Sequence, residues 1–257
     1  MTWKGLKWIA VVSMLIDHIA KALLSQPILM NVWGMDLPSS YALLRVLNMI
    51  GRIAFPIFAF GIAQGCVYTR DPKRFLGRLA LFAVISEVPY NLAFHGGDFS
   101  FRYFGFNNVF FTLFLGAVCC CVYRFFSDKS KKWAAVLLIL PLIIAAEAVA
   151  LEYGGFGILF VLVPYIFCEN KRLQIISLGI VAVLFYFFYA QYNGIGFQWM
   201  MEGNLNVFTF TDTAGALIGV GLLALYNGQK GKNYPKWFFY LFYPGHLLAL
   251  YLLKLVL

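Results

Sequence analysis

Charged and titratable side chains stand in the middle of segments apolar enough to be buried in lipid, and that combination leaves few folds open. Asp17 and His18 interrupt the first apolar run, Arg52 the second, Glu87 the third and His246 the last. A charge at the centre of a bilayer costs roughly 2.5–3.5 kcal/mol on the insertion scale. Several in one chain are tolerated only when they face one another inside a bundle, paired and partly hydrated. The pattern predicts an all-α fold, a polytopic transmembrane helix bundle with a polar interior. Hydrophobic residues make up 62% of the chain and charged ones 12%, against about 45–50% and about 25% in a soluble domain. No polar stretch exceeds a loop, so residues 1–257 read as a single transmembrane domain.

A helix needs ~20 residues to cross the hydrocarbon core. Candidate spans are 8–24, 42–67, 79–94, 109–126, 133–151, 153–168, 173–192, 207–226 and 237–257, about nine in all. The second is long enough to tilt. The sixth is short and starts in a glycine-rich run, so it reads as re-entrant or poorly delimited. Of the 20 basic residues, only Lys21, Arg45, Arg52, Arg102 and Lys254 lie in spans or outer loops when the N-terminus is cytoplasmic. The remainder fall in the inner segments, including Arg70, Lys73, Arg74 and Arg78; Arg124, Lys129, Lys131 and Lys132; and Lys230, Lys232 and Lys236. The positive-inside rule therefore places the N-terminus in the cytoplasm and the C-terminus outside. Lys4 and Lys7 precede the first apolar run, and Asp17, His18 and Lys21 follow without a cleavage site, as in a retained signal anchor.

The net charge of +9 sits in short loops and not in one stripe, so it argues for topology and against nucleic acid. A basic inner face also attracts anionic lipid heads or a phosphate-bearing cosubstrate. Cys66, Cys119, Cys120, Cys121 and Cys168 all lie in apolar segments without CxxC spacing or a histidine partner. They read as packing residues, and no metal site is expected.

Helical spacing sorts the polar residues onto faces. Asp17, His18 and Lys21 share one turn; Arg45, Asn48 and Arg52 step by three and four; Glu87, Tyr90 and Asn91 do the same. Asn108 and Thr112 are four apart, and Tyr240, Tyr243 and His246 repeat every three residues around Pro244, which invites a kink. Singly, each has a structural reading. Asp17 pairs with Lys21 or Arg52, Arg45 snorkels to the outer interface, Glu87 pairs with Arg52, and Asn108 and Thr112 bond neighbouring helices. Jointly, two mid-membrane histidines, two carboxylates and an arginine favour a functional chamber.

The blocks LKWIAVVSMLIDHIAKAL, GRIAFPIFAFGIAQG, SEVPYNLAF, NNVFFTLFLG, EYGGFGIL and FYPGHLL span almost the whole chain in order. They resemble the TraX family of integral membrane acetyltransferases, named for the protein that N-acetylates F-type pilin. The Asp-His pair of the first span and the Tyr-Pro-x-His block near the C-terminus carry most of the resemblance. It implies acetyl transfer from cytoplasmic acetyl-CoA to an amine or hydroxyl of a membrane-associated or extracytoplasmic acceptor, a pilin N-terminus or a surface glycan.

Such chemistry needs a base and donors for the oxyanion. His18 is the preferred base, with His246 as rival base or as donor to the thioester carbonyl. Asp17 would orient His246 or pair with Arg52. Arg52 would hold Asp17 or Glu87, or stabilise negative charge. Tyr90, Asn91, Asn108 and Tyr243 are candidate substrate-binding residues, and Arg70, Lys73, Arg74 and Arg78 form the densest basic patch for the phosphates of acetyl-CoA. Two rival readings use the same residues: a proton-coupled secondary transporter or flippase of an envelope precursor, and a non-catalytic scaffold for surface assembly.

Overall fold

Prolines and capping side chains set the helix ends in the computed structural model, which describes residues 1–96, 108–189, 207–231 and 237–256. Arg102, Lys232, Lys236 and most of the stretches 95–108 and 193–206 between expected spans lie outside the described residues.

The helices are α1 (Trp3–Leu23), α2 (Gln26–Asn31), α3 (Leu37–Arg52), α4 (Ala54–Tyr68), α5 (Pro72–His95), α6 (Val109–Ser127), α7 (Lys132–Ala148), α8 (Gly154–Ile166), α9 (Lys171–Val183), α10 (Val207–Ala224) and α11 (Phe238–Val256). A π-helical turn, Leu184–Tyr189, continues α9. Every predicted span contains helix, and among the described residues the fold is all-α. Among the described residues four stretches are long and apolar enough to cross a membrane: Leu37–Tyr68, Pro72–His95, Val109–Ser127 and Phe238–Val256. Gly154–Ile166 and Phe210–Ala224 are apolar but shorter. By length and composition this is a polytopic helical membrane protein.

Two features depart from the expected spans. The second is two helices, because Pro56 has no N–H to give the Arg52 carbonyl, and the Ile53 N–H bonds back to Ile50 in a tighter turn. The short α2 was not anticipated; Pro27 sits in its first turn. Pro244 lies inside α11.

The chain divides into two compact units. The first comprises Met1–Phe58, Ile175–Tyr234 and Leu253–Leu257. In it α3 is the hub, packed against α1, α2 and α10, while α10 also meets the π-helical turn. The second comprises Ala59–Gln174 and Pro235–Leu252. There α6 is the hub, against α5, α7 and α8. On α7, Trp133, Val136, Leu137 and Ile144 point outward with more than half of their surface exposed. Such a face suits a hydrocarbon surround, where apolar side chains have no reason to turn inward.

Candidate functional site

In the second unit the polar side chains of three helices converge. Asn108 is the N-cap of α6 and fully buried. Its Oδ1 accepts from the Phe110 N–H at 3.1 Å, while Nδ2 donates to the Ala83 carbonyl at 2.9 Å and to Glu87 Oε2 at 2.5 Å. Asparagine alone among small side chains can cap and donate twice at once, since aspartate lacks the amide protons. The other carboxylate oxygen of Glu87, Oε1, accepts from Asn91 Nδ2 at 3.2 Å, and the same amide reaches the Glu87 carbonyl at 3.0 Å. A buried carboxylate is thereby solvated by amides, which lowers the cost of holding it out of water. The bonds also set depth. The N-cap of α6 lies opposite residues 83–87, about 16–22 Å along α5 at 1.5 Å per residue.

Tyr243 on α11 joins this cluster. Its ring packs edge-on against Phe110 at 5.1 Å. Its hydroxyl faces the Val109 N–H and lies in electrostatic range of Glu152, Tyr90 and Glu87. Glu152 precedes α8, and its carbonyl accepts from the Thr112 hydroxyl of α6. One turn beyond Tyr243 is His246, buried like it. His246 Nδ1 lies 2.8 Å from the Phe242 carbonyl. A carbonyl oxygen only accepts, so Nδ1 carries the proton and the neutral ring presents a lone pair on Nε2. The Phe242 ring stacks on the imidazole at 4.9 Å and 14°, with Tyr243 edge-on at 5.6 Å.

Asp17, His18 and Arg52 belong to the first unit. Asp17 Oδ2 pairs with Lys21 at 2.6 Å, the local i,i+4 alternative of the sequence reading. Gly51 of α3 makes room for this carboxylate, since a Cβ there would collide with Asp17. Nearby, the Ser13 hydroxyl donates to the Ile50 carbonyl, drawing α1 and α3 together. His18 is buried on α1. Arg52 was expected to meet Asp17 or Glu87; its Nε lies 3.4 Å from Asp212 on α10, and its guanidinium is 5.7 Å from the Tyr186 ring. Arg45, expected to snorkel, points a guanidinium nitrogen to within 3.9 Å of the same Asp212. Sequence reasoning missed Asp212, although a lone carboxylate in the apolar run Val207–Ala224 was a visible signal. It also passed over Glu152 and Phe242 as site residues.

Arg70, Lys73 and Arg74 are exposed at the start of α5, and Arg78 is half-buried. Asp71 caps the helix by accepting from the Arg74 N–H at 3.0 Å and pairs with its guanidinium at 3.0 Å. Among the described residues no cluster of histidine, cysteine and acidic side chains could hold a metal ion.

The TraX protein family model matches residues 3–254. The chain belongs to the TraX family. It is similar, at 29% identity over 257 residues, to a protein of Dichelobacter nodosus named probable fimbrial assembly protein FimC, serogroup H1. The match covers 95% of this chain and 92% of that protein. No solved structure matches.

Proposed function

We propose that this TraX-family protein is an acetyltransferase of the cytoplasmic membrane, moving acetyl from cytoplasmic acetyl-CoA to an amine or hydroxyl of a membrane-associated or extracytoplasmic acceptor. The fimbrial name of the Dichelobacter relative favours a pilin-type acceptor over a surface glycan. The reading takes the chain as one acyltransferase domain of about nine spans, N-terminus inside, with Arg70, Lys73, Arg74 and Arg78 on the coenzyme's side of the membrane.

One observation carries it: the Phe242 carbonyl at 2.8 Å holds His246 in the tautomer whose Nε2 is a base. In the transfer, the acceptor nitrogen or oxygen attacks the thioester carbonyl carbon and His246 Nε2 takes its proton. The tetrahedral oxyanion collapses, the C–S bond breaks, and the thiolate recovers the proton to leave as coenzyme A. The Tyr243 hydroxyl, one helical turn from His246, donates to that oxyanion. Glu87, Asn91 and Asn108 hold the floor of the site, with Tyr90 beside the acceptor. Asp17 and Arg52 serve their own unit, through Lys21 and Asp212. His18 is the second histidine to test.

The test is acetyl transfer by the purified protein from labelled acetyl-CoA in the presence of membrane extract. Expected are thioester loss and a labelled product in wild type, both abolished in His246→Ala. Retained transfer in His246→Ala with loss in a folded His18→Ala moves the base to His18. Transport of an envelope precursor without thioester turnover would replace the reading with the transporter.

A further inference from the structure

Arg52 falls at the midpoint of the 32-residue apolar stretch Leu37–Tyr68. Its side chain is nonetheless 22% exposed, and those of Arg45 and Asp212 are each 21% exposed. A charge facing hydrocarbon at that depth costs roughly 2.5–3.5 kcal/mol, a cost that access to water removes. The packing of the helices gives a direction from which water can come. The Met49 carbonyl of α3 lies against Gly215 of α10 and the Ile53 carbonyl against Gly219, a step of four residues in each helix. The two helices therefore run parallel and start at the same face. Arg52 Cβ stands beside Gly215, where an added Cβ would approach it to 3.0 Å, yet its Nε lies 3.4 Å from Asp212, about one turn nearer that face. Its long stem thus carries the guanidinium back toward the starts of both helices, as a snorkelling arginine does. Arg45, about two turns nearer the start of α3, reaches the same carboxylate. Asn48 stands one turn from each arginine on the same stripe.

We propose that an aqueous crevice enters the first unit where α3 and α10 start and reaches Arg52 at mid-span, with Arg45, Asn48, Arg52 and Asp212 as its wetted wall. Its ligand is water, and with water come small hydrophilic molecules. In the topology proposed above it opens on the extracytoplasmic side. It goes beyond the acetyl-CoA reading and does not depend on it. The spacing of the charges agrees with a wet wall. Arg52 and Arg45 lie 3.4 and 3.9 Å from Asp212, beyond the about 2.7–2.9 Å of a direct charge-assisted hydrogen bond and wide enough for water to share the contact.

The test places single cysteines in the full-length protein, in a Cys168→Ser background that removes the exposed native thiol. Asn48→Cys and Asp212→Cys probe the wall, and Val46→Cys is the control. Val46 is 49% exposed, more than either arginine, but stands two residues from Asn48, about 200° around α3. The probe is a membrane-impermeant, charged methanethiosulfonate applied to spheroplasts; it reacts with the thiolate, a form that apolar surroundings suppress. Both wall sites are expected to be modified at least tenfold faster than the control. Modification of either one with a silent control upholds the crevice, so a single misfolded variant does not decide the matter. Two silent wall sites in protein whose circular dichroism matches wild type, or a control as fast as the wall, overturn it. Wall sites reached only in inverted vesicles overturn the outward opening.

Discussion

Exchanging the partners Glu87 and Asn108 tests the centre of the site. Asn108→Asp keeps the helix cap, because Oδ1 still accepts from Phe110, but removes both amide donors. It also sets a second carboxylate where the 2.5 Å contact to Glu87 now lies. A hydrogen bond to a charged group is worth about 1.5–3 kcal/mol and one to a neutral carbonyl about 0.5–1.5 kcal/mol. With the carboxylate repulsion relieved partly by protonation, the variant should lose about 3–5 kcal/mol. Glu87→Gln should cost less, about 1–2 kcal/mol, because the amide still accepts at one end. In the double variant the amide introduced at position 87 donates to the carboxylate introduced at position 108, restoring the bond with its direction reversed. The double should therefore be more stable than the two singles predict, by about 1.5–3 kcal/mol of coupling. Equilibrium unfolding in mixed micelles, followed by far-ultraviolet circular dichroism, reads all four proteins. Additivity within about 0.5 kcal/mol would refute the assignment of Glu87 and Asn108 as a bonded pair.

Gly215→Val should loosen the first unit by about 1–3 kcal/mol through overpacking, since a Cβ there meets the Met49 carbonyl and approaches Arg52 Cβ to 3.0 Å; unfolding in micelles measures it, and an unchanged midpoint counts against the α3–α10 contact. Asp212→Ala should cost about 1–3 kcal/mol by withdrawing a partly buried counter-ion from Arg45 and Arg52, and Asp212→Asn less; an Asp212→Asn protein as stable as wild type would show that charge is irrelevant there. Cys168 is exposed, whereas Cys66, Cys119 and Cys120 are buried. A membrane-impermeant maleimide should therefore label Cys168 quickly in inverted vesicles and not in spheroplasts; the opposite sidedness would reverse the proposed topology.

Much of this protein was readable along the chain because its causes are local. Apolar runs of spanning length set where helices form, Asp71-Pro72 and Asn108 mark where two of them start, and the i,i+4 spacing of Asp17 and Lys21 already contained their ion pair. Glu87 and Asn91 were recognisable as one polar stripe and Asn108 as a side chain that bonds a neighbouring helix, since burial forces each to find a partner.

Which partner each found was decided by tertiary structure. Arg52 closes the helical stripe that begins at Arg45, and the spacing alone left Asp17 and Glu87 both open to it. Its choice of Asp212 depends on how closely α3 approaches α10 and on the rotation of both helices, set by backbone-to-backbone packing at Gly215 and Gly219. The two donors of Asn108 likewise find Ala83 and Glu87 because α6 starts opposite the middle of α5, a depth that no spacing within either helix encodes. Periodicity determines which face of a helix is polar; only the packing of helices distant in sequence determines what that face meets, because the same stripe can be satisfied by any neighbour that brings a complementary group within about 3 Å.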